Sequence, residues 1–177
     1  MEALDRNWRR LAGRIPAAAE ADAARIVRAF RGDIVLTPPR ASKWGSYRWR
    51  SDLGAKIFLN RDLQPEAMLI TLLHELAHAQ VKAWDGLGCA PHGAEWQKRY
   101  RELLAPFIAL PEVFSPAVAR ALQRQLHKPK ASCGAAPDLL RALRADSDQL
   151  RVEHLPEGAW FRLDNGMEFR KGPKRRT

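Results

Sequence analysis

Apolar side chains recur at helical spacing in several segments of the chain. The clearest segment is 65–84, which is apolar on nearly every face and therefore predicts a helix buried within the fold. Pro65 suits the first position of this helix, and the two glycines and the proline of residues 85–91 end it. Further helices are predicted at 16–30, 94–107, 115–127 and 138–145.

Other segments are β-branched or alternate between apolar and polar residues, which predicts strands. After a linker over residues 128–137, Asn165-Gly166 supplies a strong hairpin turn. The whole order of elements predicts an α+β fold, with a small sheet packed on the central helix and a C-terminal β-hairpin element. We expect a core over residues 1–130, on which a short helix and a basic hairpin tail over 131–177 pack as one domain. The predicted strands are 33–37, 47–51, 55–60, 149–155, 159–163 and 167–171.

Charge is spread unevenly along the 177 residues, whose formal net charge is +10. Residues 1–63 hold 13 basic and 7 acidic residues, and residues 127–177 hold 11 and 7, whereas the centre is balanced at 6 and 6. Basic flanks around a neutral centre favour an anionic partner such as DNA. The chain starts without the apolar run of a signal peptide and has no membrane-spanning stretch, so we expect a cytoplasmic protein, associated with the nucleoid if it binds DNA.

The centre of the predicted buried helix carries the sequence HELAH, in which His74 and His78 are four residues apart. On a helix this spacing places both rings on one face, where two imidazoles can bind the same Zn²⁺ ion. Glu75 lies beside them and could act as a general base in hydrolysis without being a ligand. The pattern predicts one zinc ion per chain and a hydrolytic site.

Spacing alone leaves the identity of the third metal ligand open, but it excludes one known arrangement of zinc ligands. Metzincins need a glycine three residues after the second histidine and a histidine three residues later, but Val81 and Trp84 occupy those places. Glu95 and Glu102 are candidates on the next helix, as in gluzincins. His92 is the alternative that we favour, because a Gly- and Pro-containing loop can bring it back to the metal, with water in the fourth position.

These residues resemble the SprT-like family of zinc metalloproteases, whose eukaryotic relative Spartan removes proteins crosslinked to DNA. The family pattern is H-E-x-x-H, a short loop, and then H-G-x-x-W, which His74, Glu75, His78, His92 and the following "GAEW" match one by one. The resemblance covers most of residues 30–177 and implies a zincin-like fold and an endopeptidase that acts on protein substrates, with DNA-crosslinked proteins as one possibility.

The chain departs from the family pattern in two respects. Some members carry a four-cysteine zinc ribbon, but this chain has only Cys89 and Cys133, neither in a C-x-x-C pair. It therefore resembles the bacterial members without a ribbon, and the role of a ribbon in binding DNA cannot be transferred to it. Similar proteins continue with another strand after the segment "KGPKRRT", which raises the hypothesis of a shortened C-terminus.

Two basic segments are candidates for contact with single-stranded or damaged DNA. Residues 40–50 interleave basic and aromatic side chains, a combination that suits stacking on bases and pairing with phosphates. The rival interpretation is an edge strand whose aromatic side chains pack on the central helix, and both can hold because alternate residues face opposite sides. The candidates are Arg40, Lys43, Trp44, Arg48, Trp49, Arg50, Lys171, Lys174, Arg175 and Arg176.

Two other functions compete with the protease. A DNA-binding protein with a structural zinc would need a fourth protein ligand, for which Cys89 is a candidate. A metal-dependent hydrolase of nucleic acid would more often use a carboxylate-rich or two-metal site, whereas the central segment has few acids. For the protease itself, Tyr100, His127 and arginine side chains are candidates for donating a hydrogen bond to the developing oxyanion.

Overall fold

The computed structural model describes residues 2–40, 42–84, 88–127, 137–145, 152, 155–163 and 166–173. These residues divide into two compact units, 1–145 and 146–177, which we describe separately. The mixed α+β class predicted from the sequence is confirmed. Within the described residues, no helix combines the length and the apolar character that crossing a membrane requires. The predicted division at residue 130 stays a prediction.

Six helices and a three-stranded sheet form the first unit, as far as its residues are described. A 3₁₀ turn at Ala17–Ala19 leads into α2, so the segment predicted as one helix over 16–30 begins with a tighter turn. The helices are α1 (Glu2–Leu11), α2 (Glu20–Ala29), α3 (Pro65–Trp84), α4 (Ala94–Ala109), α5 (Pro116–His127) and α6 (Pro137–Ala145), and the strands are β1 (Asp33–Thr37), β2 (Gly45–Arg50) and β3 (Gly54–Asn60).

The order of the sheet is β1-β3-β2, so β2 is an outer strand. β1 runs parallel to β3 with Ile34 beside Ile57, and β2 runs antiparallel to β3 with Gly45 beside Leu59. Ile34, Ile57 and Leu59 are fully buried. The apolar alternation of these strands therefore turns one face of the sheet toward the core.

Helix α3 lies at the centre of the first unit, with α4 and the strands β2 and β3 packed against it. Its residues from Ala67 to Ala77 are all buried, which explains why its sequence is apolar nearly all round. The prediction of a buried helix over 65–84 is confirmed with the same bounds. Because it is enclosed, α3 can hold polar side chains in fixed positions.

Helix α1 is an element that the sequence pattern did not predict. Asn7 joins it to the sheet, because its amide Nδ2 donates to the Gly32 carbonyl at 2.8 Å and its Oδ1 accepts from the Ile34 N–H at 2.9 Å. Asn7 itself is fully buried. The hydrogen bonds of one asparagine thus help to hold a helix in which half of the residues are charged.

The second unit contains the antiparallel pair β4 (Trp160–Arg162) and β5 (Glu168–Arg170). Phe161 and Phe169 face each other across this pair and stack with ring centroids 5.8 Å apart. Most of the strand predicted over 149–155, and Asn165 of the predicted turn, fall outside the described residues.

Candidate metal centre

Three histidines converge where α3 meets the start of α4. His74 and His78 project from the same face of α3, and His92 lies two residues before α4. The Nε2 atom of His92 is 3.0 Å from that of His78 and 3.3 Å from that of His74. Four ligands in a tetrahedron at 2.0–2.1 Å from Zn²⁺ are about 3.3–3.4 Å apart. These two distances match that spacing, and the ligand atoms of the three histidines all lie within 4.8 Å of one another, so the three side chains could hold one ion.

Hydrogen bonding among the three rings does not account for this arrangement. A ring nitrogen of a neutral imidazole is either a donor or an acceptor, so His92 Nε2 can serve only one of its two neighbours well. Burial, followed by the charges of His78 and His92, lowers the pKa of His74 to about 3. Burial, followed by the charge of His92, lowers the pKa of His78 to about 4, and burial also lowers that of His92. At neutral pH the rings are uncharged, which is the form that binds metals.

His92 takes an unusual backbone conformation, with φ at +62°. Few residues other than glycine adopt this left-handed region. The loop is held at this point because the Gly93 N–H donates to the Ala90 carbonyl at 2.9 Å, and Gln97 Nε2 donates to the His92 carbonyl at 3.1 Å. The unusual backbone turns the third imidazole back toward α3.

The buried ring of Trp96 packs against the rings of all three histidines. It is 1% exposed, and its ring centroid lies 4.6 Å from that of His92, 4.7 Å from that of His74 and 5.4 Å from that of His78. Its indole Nε1 donates to the His74 carbonyl at 3.4 Å. Tyr100 stacks on the indole with ring centroids 5.0 Å apart, lies 5.6 Å from the His74 ring, and is 2% exposed. Tyr100 is therefore part of the packing and is not open to a substrate.

Glu75 lies on α3 beside the histidine cluster and is only 6% exposed. Burial raises the pKa of its carboxyl group to about 7, while a backbone hydrogen bond from Tyr47 and the positive charges of Arg40 and Lys43 oppose the rise. A carboxyl group with a pKa near the working pH can both accept and return a proton. The structure thus places beside the histidines a group that is suited to general acid–base chemistry.

The other proposed ligands do not join the cluster. Among the described residues, the only group of histidine, cysteine and carboxylate side chains with three or more members close enough to hold one ion is His74, His78 and His92. Glu102 instead lies 3.4 Å from Arg99 on an exposed part of α4. Cys89 and Glu95 are likewise not members of the group. The individual roles assigned to the three histidines and Glu75 stay predictions.

The candidate nucleic-acid residues are distributed over different surfaces. Arg40 Nε donates to Asn60 Oδ1 at 2.8 Å, and Arg50 makes two hydrogen bonds to the Asp52 carboxylate at 2.7 and 3.0 Å. Trp44 is half-buried against the core, whereas Trp49 is 46% exposed. Arg40 and Arg50 are therefore paired within the fold, and of these two tryptophans Trp49 is the more exposed; their contact with nucleic acid stays a prediction.

Of the remaining candidates, Lys43 lies just before β2, Arg48 lies on β2, and the others lie in the second unit. The Arg48 guanidinium sits over the Phe58 ring at 5.4 Å, and Lys171 Nζ donates to the Leu155 carbonyl. Lys174, Arg175, Arg176 and the side chain of His127 lie outside the described residues. The sequence interpretation did not include Trp84, whose ring is 64% exposed and lies 4.7 Å from the Arg99 guanidinium. In the sequence, the exposure of Trp84 was indicated only by its position at the end of an apolar helix.

The model of the SprT-like family matches residues 31–113, from just before β1 to just after α4. This match confirms the resemblance inferred from the sequence and covers all three histidines and Glu75. It indicates a domain of zinc-metalloprotease type, and the three histidines are consistent with a metal site in such a domain. Comparisons with curated proteins and with solved structures gave no match.

Proposed function

We propose that this chain is a zinc-dependent endopeptidase of SprT-like type. The observation that carries the proposal is the convergence of three imidazole Nε2 atoms beside a buried carboxyl group, inside the SprT-like segment. We also propose that residues 1–130 form a zincin-like core, to which the tail adds a hairpin element. The chain would work in the cytoplasm.

In the proposed reaction, His74, His78 and His92 hold Zn²⁺ through their Nε2 atoms. When bound, the ion supplies Lewis-acid polarisation of a carbonyl and makes water a better nucleophile near neutral pH. Glu75 takes the proton of the attacking water and delivers it to the leaving amine. Its raised pKa, about 7, suits both halves of this transfer. The buried helix keeps Glu75 and two of the ligands in a fixed relation.

The test compares Glu75→Gln with Glu102→Gln, which changes an exposed carboxylate on α4. Both proteins are loaded with zinc and incubated with an unfolded protein substrate. The Glu75 variant should keep one zinc ion per chain and lose proteolysis by about 10²–10⁴-fold, the usual contribution of general acid–base catalysis. The Glu102 variant should keep both its zinc ion and its proteolytic activity. Proteolysis that persists in Glu75→Gln would refute the mechanism.

We further propose that the protein substrates are bound or crosslinked to DNA, and that single-stranded DNA contacts the first unit beside Trp49 and Trp84. These exposed rings have cations above them, since Lys82 Nζ is 4.1 Å from the centroid of Trp49 and the Arg99 guanidinium is 4.7 Å from that of Trp84. Both tryptophans line a groove of about 740 Å³ that also includes Arg25 and Arg31. Aromatic faces with neighbouring cations suit unpaired bases and phosphates.

Binding to labelled single-stranded DNA tests this partner. Trp49→Leu and Trp84→Leu should each weaken binding by about 5- to 150-fold, because stacking on a base contributes about 1–3 kcal/mol. Leu53→Ala is the control, since Leu53 is 53% exposed in the turn between β2 and β3 and has no aromatic ring. Wild-type binding should also fall steeply with salt. Absence of binding at low salt would remove DNA from the proposal and leave the peptidase.

A further inference from the structure

Strand β2 passes unusually close to Glu75 at Gly45. A Cβ atom added to Gly45 would lie 2.6 Å from Thr71 Cγ2, 2.8 Å from Glu75 Oε1 and 3.0 Å from Glu75 Cγ. Contacts below 3.0 Å force one of the two groups to move. Only glycine therefore fits at this position of β2 while both neighbouring side chains keep their places.

The neighbouring side chains have little freedom to move. Thr71 is 2% exposed, and its hydroxyl donates to the Ala67 carbonyl at 2.7 Å, which fixes its methyl group on the side of Gly45. Glu75 is 6% exposed and is held by the backbone hydrogen bond from Tyr47, two residues along β2. The carboxyl group of Glu75 is thus confined between its own helix and the backbone of β2.

From this geometry we propose that Gly45 is a positioning residue for Glu75, an inference that rests on the proposed peptidase function. The missing side chain leaves the space that the carboxyl group occupies beside the histidine cluster. A general base must lie within hydrogen-bond reach of the proton that it takes, and a displacement of about 1 Å can cost about 10²-fold in rate. A methyl group at position 45 would push the carboxyl group away from that place, and none of the three atoms nearest to it belongs to a histidine.

The variant Gly45→Ala alone would mix two effects, because its methyl group meets Thr71 as well as Glu75. Thr71→Ser separates them, since serine keeps the hydroxyl that bonds to Ala67 and removes the methyl group that faces Gly45. Gly45→Ala should lower both Tm, by about 5 °C, and kcat. In Gly45→Ala/Thr71→Ser, Tm should recover only the part of this loss that the Thr71 contact causes, while kcat stays about 10²-fold below wild type.

KM should stay within about twofold of wild type, and each chain should keep one zinc ion, because neither substitution replaces one of the three histidines. Gly172→Ala is the matched control, since a Cβ there meets no atom within 4 Å. If kcat recovers together with Tm in the double variant, Gly45 serves packing alone and the proposal is wrong.

A second measurement does not depend on activity. In the Thr71→Ser background and in metal-free protein, the Tm loss caused by Gly45→Ala is compared with and without Glu75→Ala, which removes the carboxyl group. The loss should disappear when Glu75 is truncated, and a loss that persists would overturn the proposal. If the wild-type protein shows no Glu75-dependent proteolysis, the proposed function fails, while this comparison still decides whether Gly45 makes room for Glu75.

Discussion

Replacing Glu75 by glutamine should stabilise the metal-free protein, and the gain should grow with pH. Burial raises the pKa of this carboxyl group from 4.5 to about 7. A raised pKa means that the folded state prefers the protonated form. The stability that Glu75 contributes is therefore fully present below pH 4.5 and is lost as the pH rises through 7. Glutamine is neutral throughout and avoids this loss.

The size of the effect follows from the two pKa values. The interval between 4.5 and about 7 corresponds to roughly 3 kcal/mol, at about 1.4 kcal/mol per pKa unit. At pH 8 nearly all of this cost applies, whereas pH 5 is only half a unit above the unfolded pKa and the cost there is roughly 1 kcal/mol. For a chain of this length the gain in Tm should be about 8 °C at pH 8 and about 2 °C at pH 5.

Thermal unfolding of wild type and Glu75→Gln, both stripped of metal by a chelator, measures the difference. The histidines with lowered pKa values are present in both proteins, so their own pH dependence cancels. Glu102→Gln should change stability by no more than about 0.5 kcal/mol at either pH, as surface substitutions usually do. Equal Tm differences at pH 5 and pH 8, or a Glu75→Gln protein less stable than wild type at pH 8, would refute the reasoning.

Three further predictions concern the histidine cluster. His92→Ala should lower zinc affinity by more than about 100-fold. Competition with a chromophoric chelator measures this affinity, and an unchanged value would show that the His92 ring is not a ligand. Because the pKa of His74 is about 3 and that of His78 about 4, wild-type zinc affinity at pH 5.5 should stay within about tenfold of its value at pH 7.5. Three rings with ordinary pKa values would lose about a thousandfold, so a loss of that size would contradict the lowered values. Trp96→Ala should cost about 3–5 kcal/mol in urea unfolding, since it empties a fully buried site, and a cost below about 1 kcal/mol would show that the indole does not support the cluster.

The sequence predicted the part of the site that is encoded by local periodicity. Helix α3 begins at Pro65 and ends at Trp84, as its apolar pattern and the following glycines indicated. A helix also fixes the relation between His74 and His78, because residues four apart lie on one face. The preference for His92 over a glutamate rested on ligand chemistry, and the structure brings its Nε2 atom to the other two.

The sequence did not reveal the contacts that depend on tertiary structure. The sequence does not show that His92 has a left-handed backbone, because few non-glycine residues adopt it, although histidine does so more often than most. Gly45 lies two residues before the strand predicted at 47–51, and the observed strand β2 begins at it, where a glycine can mark a close approach of another group. Its partner could not be identified, because β2 and α3 meet only after the sheet has formed. Helix α1 was missed for a related reason, since the buried hydrogen bonds of Asn7 join it to distant residues.

Strand β2 shows how one segment of sequence can serve two surfaces. Gly45 contacts Glu75, and Trp49 lies under Lys82 of the same helix, so the odd-numbered residues face α3. Arg48 instead lies over Phe58, and Ser46 accepts a hydrogen bond from Arg40 at 3.3 Å. The alternation of basic and aromatic residues is therefore an alternation of faces. A substitution of Trp49 should affect the groove beside α3, whereas a charge reversal at Arg48 should act on the opposite face. If DNA bound both residues as one patch, the two substitutions would weaken binding equally, and the structure predicts that they do not.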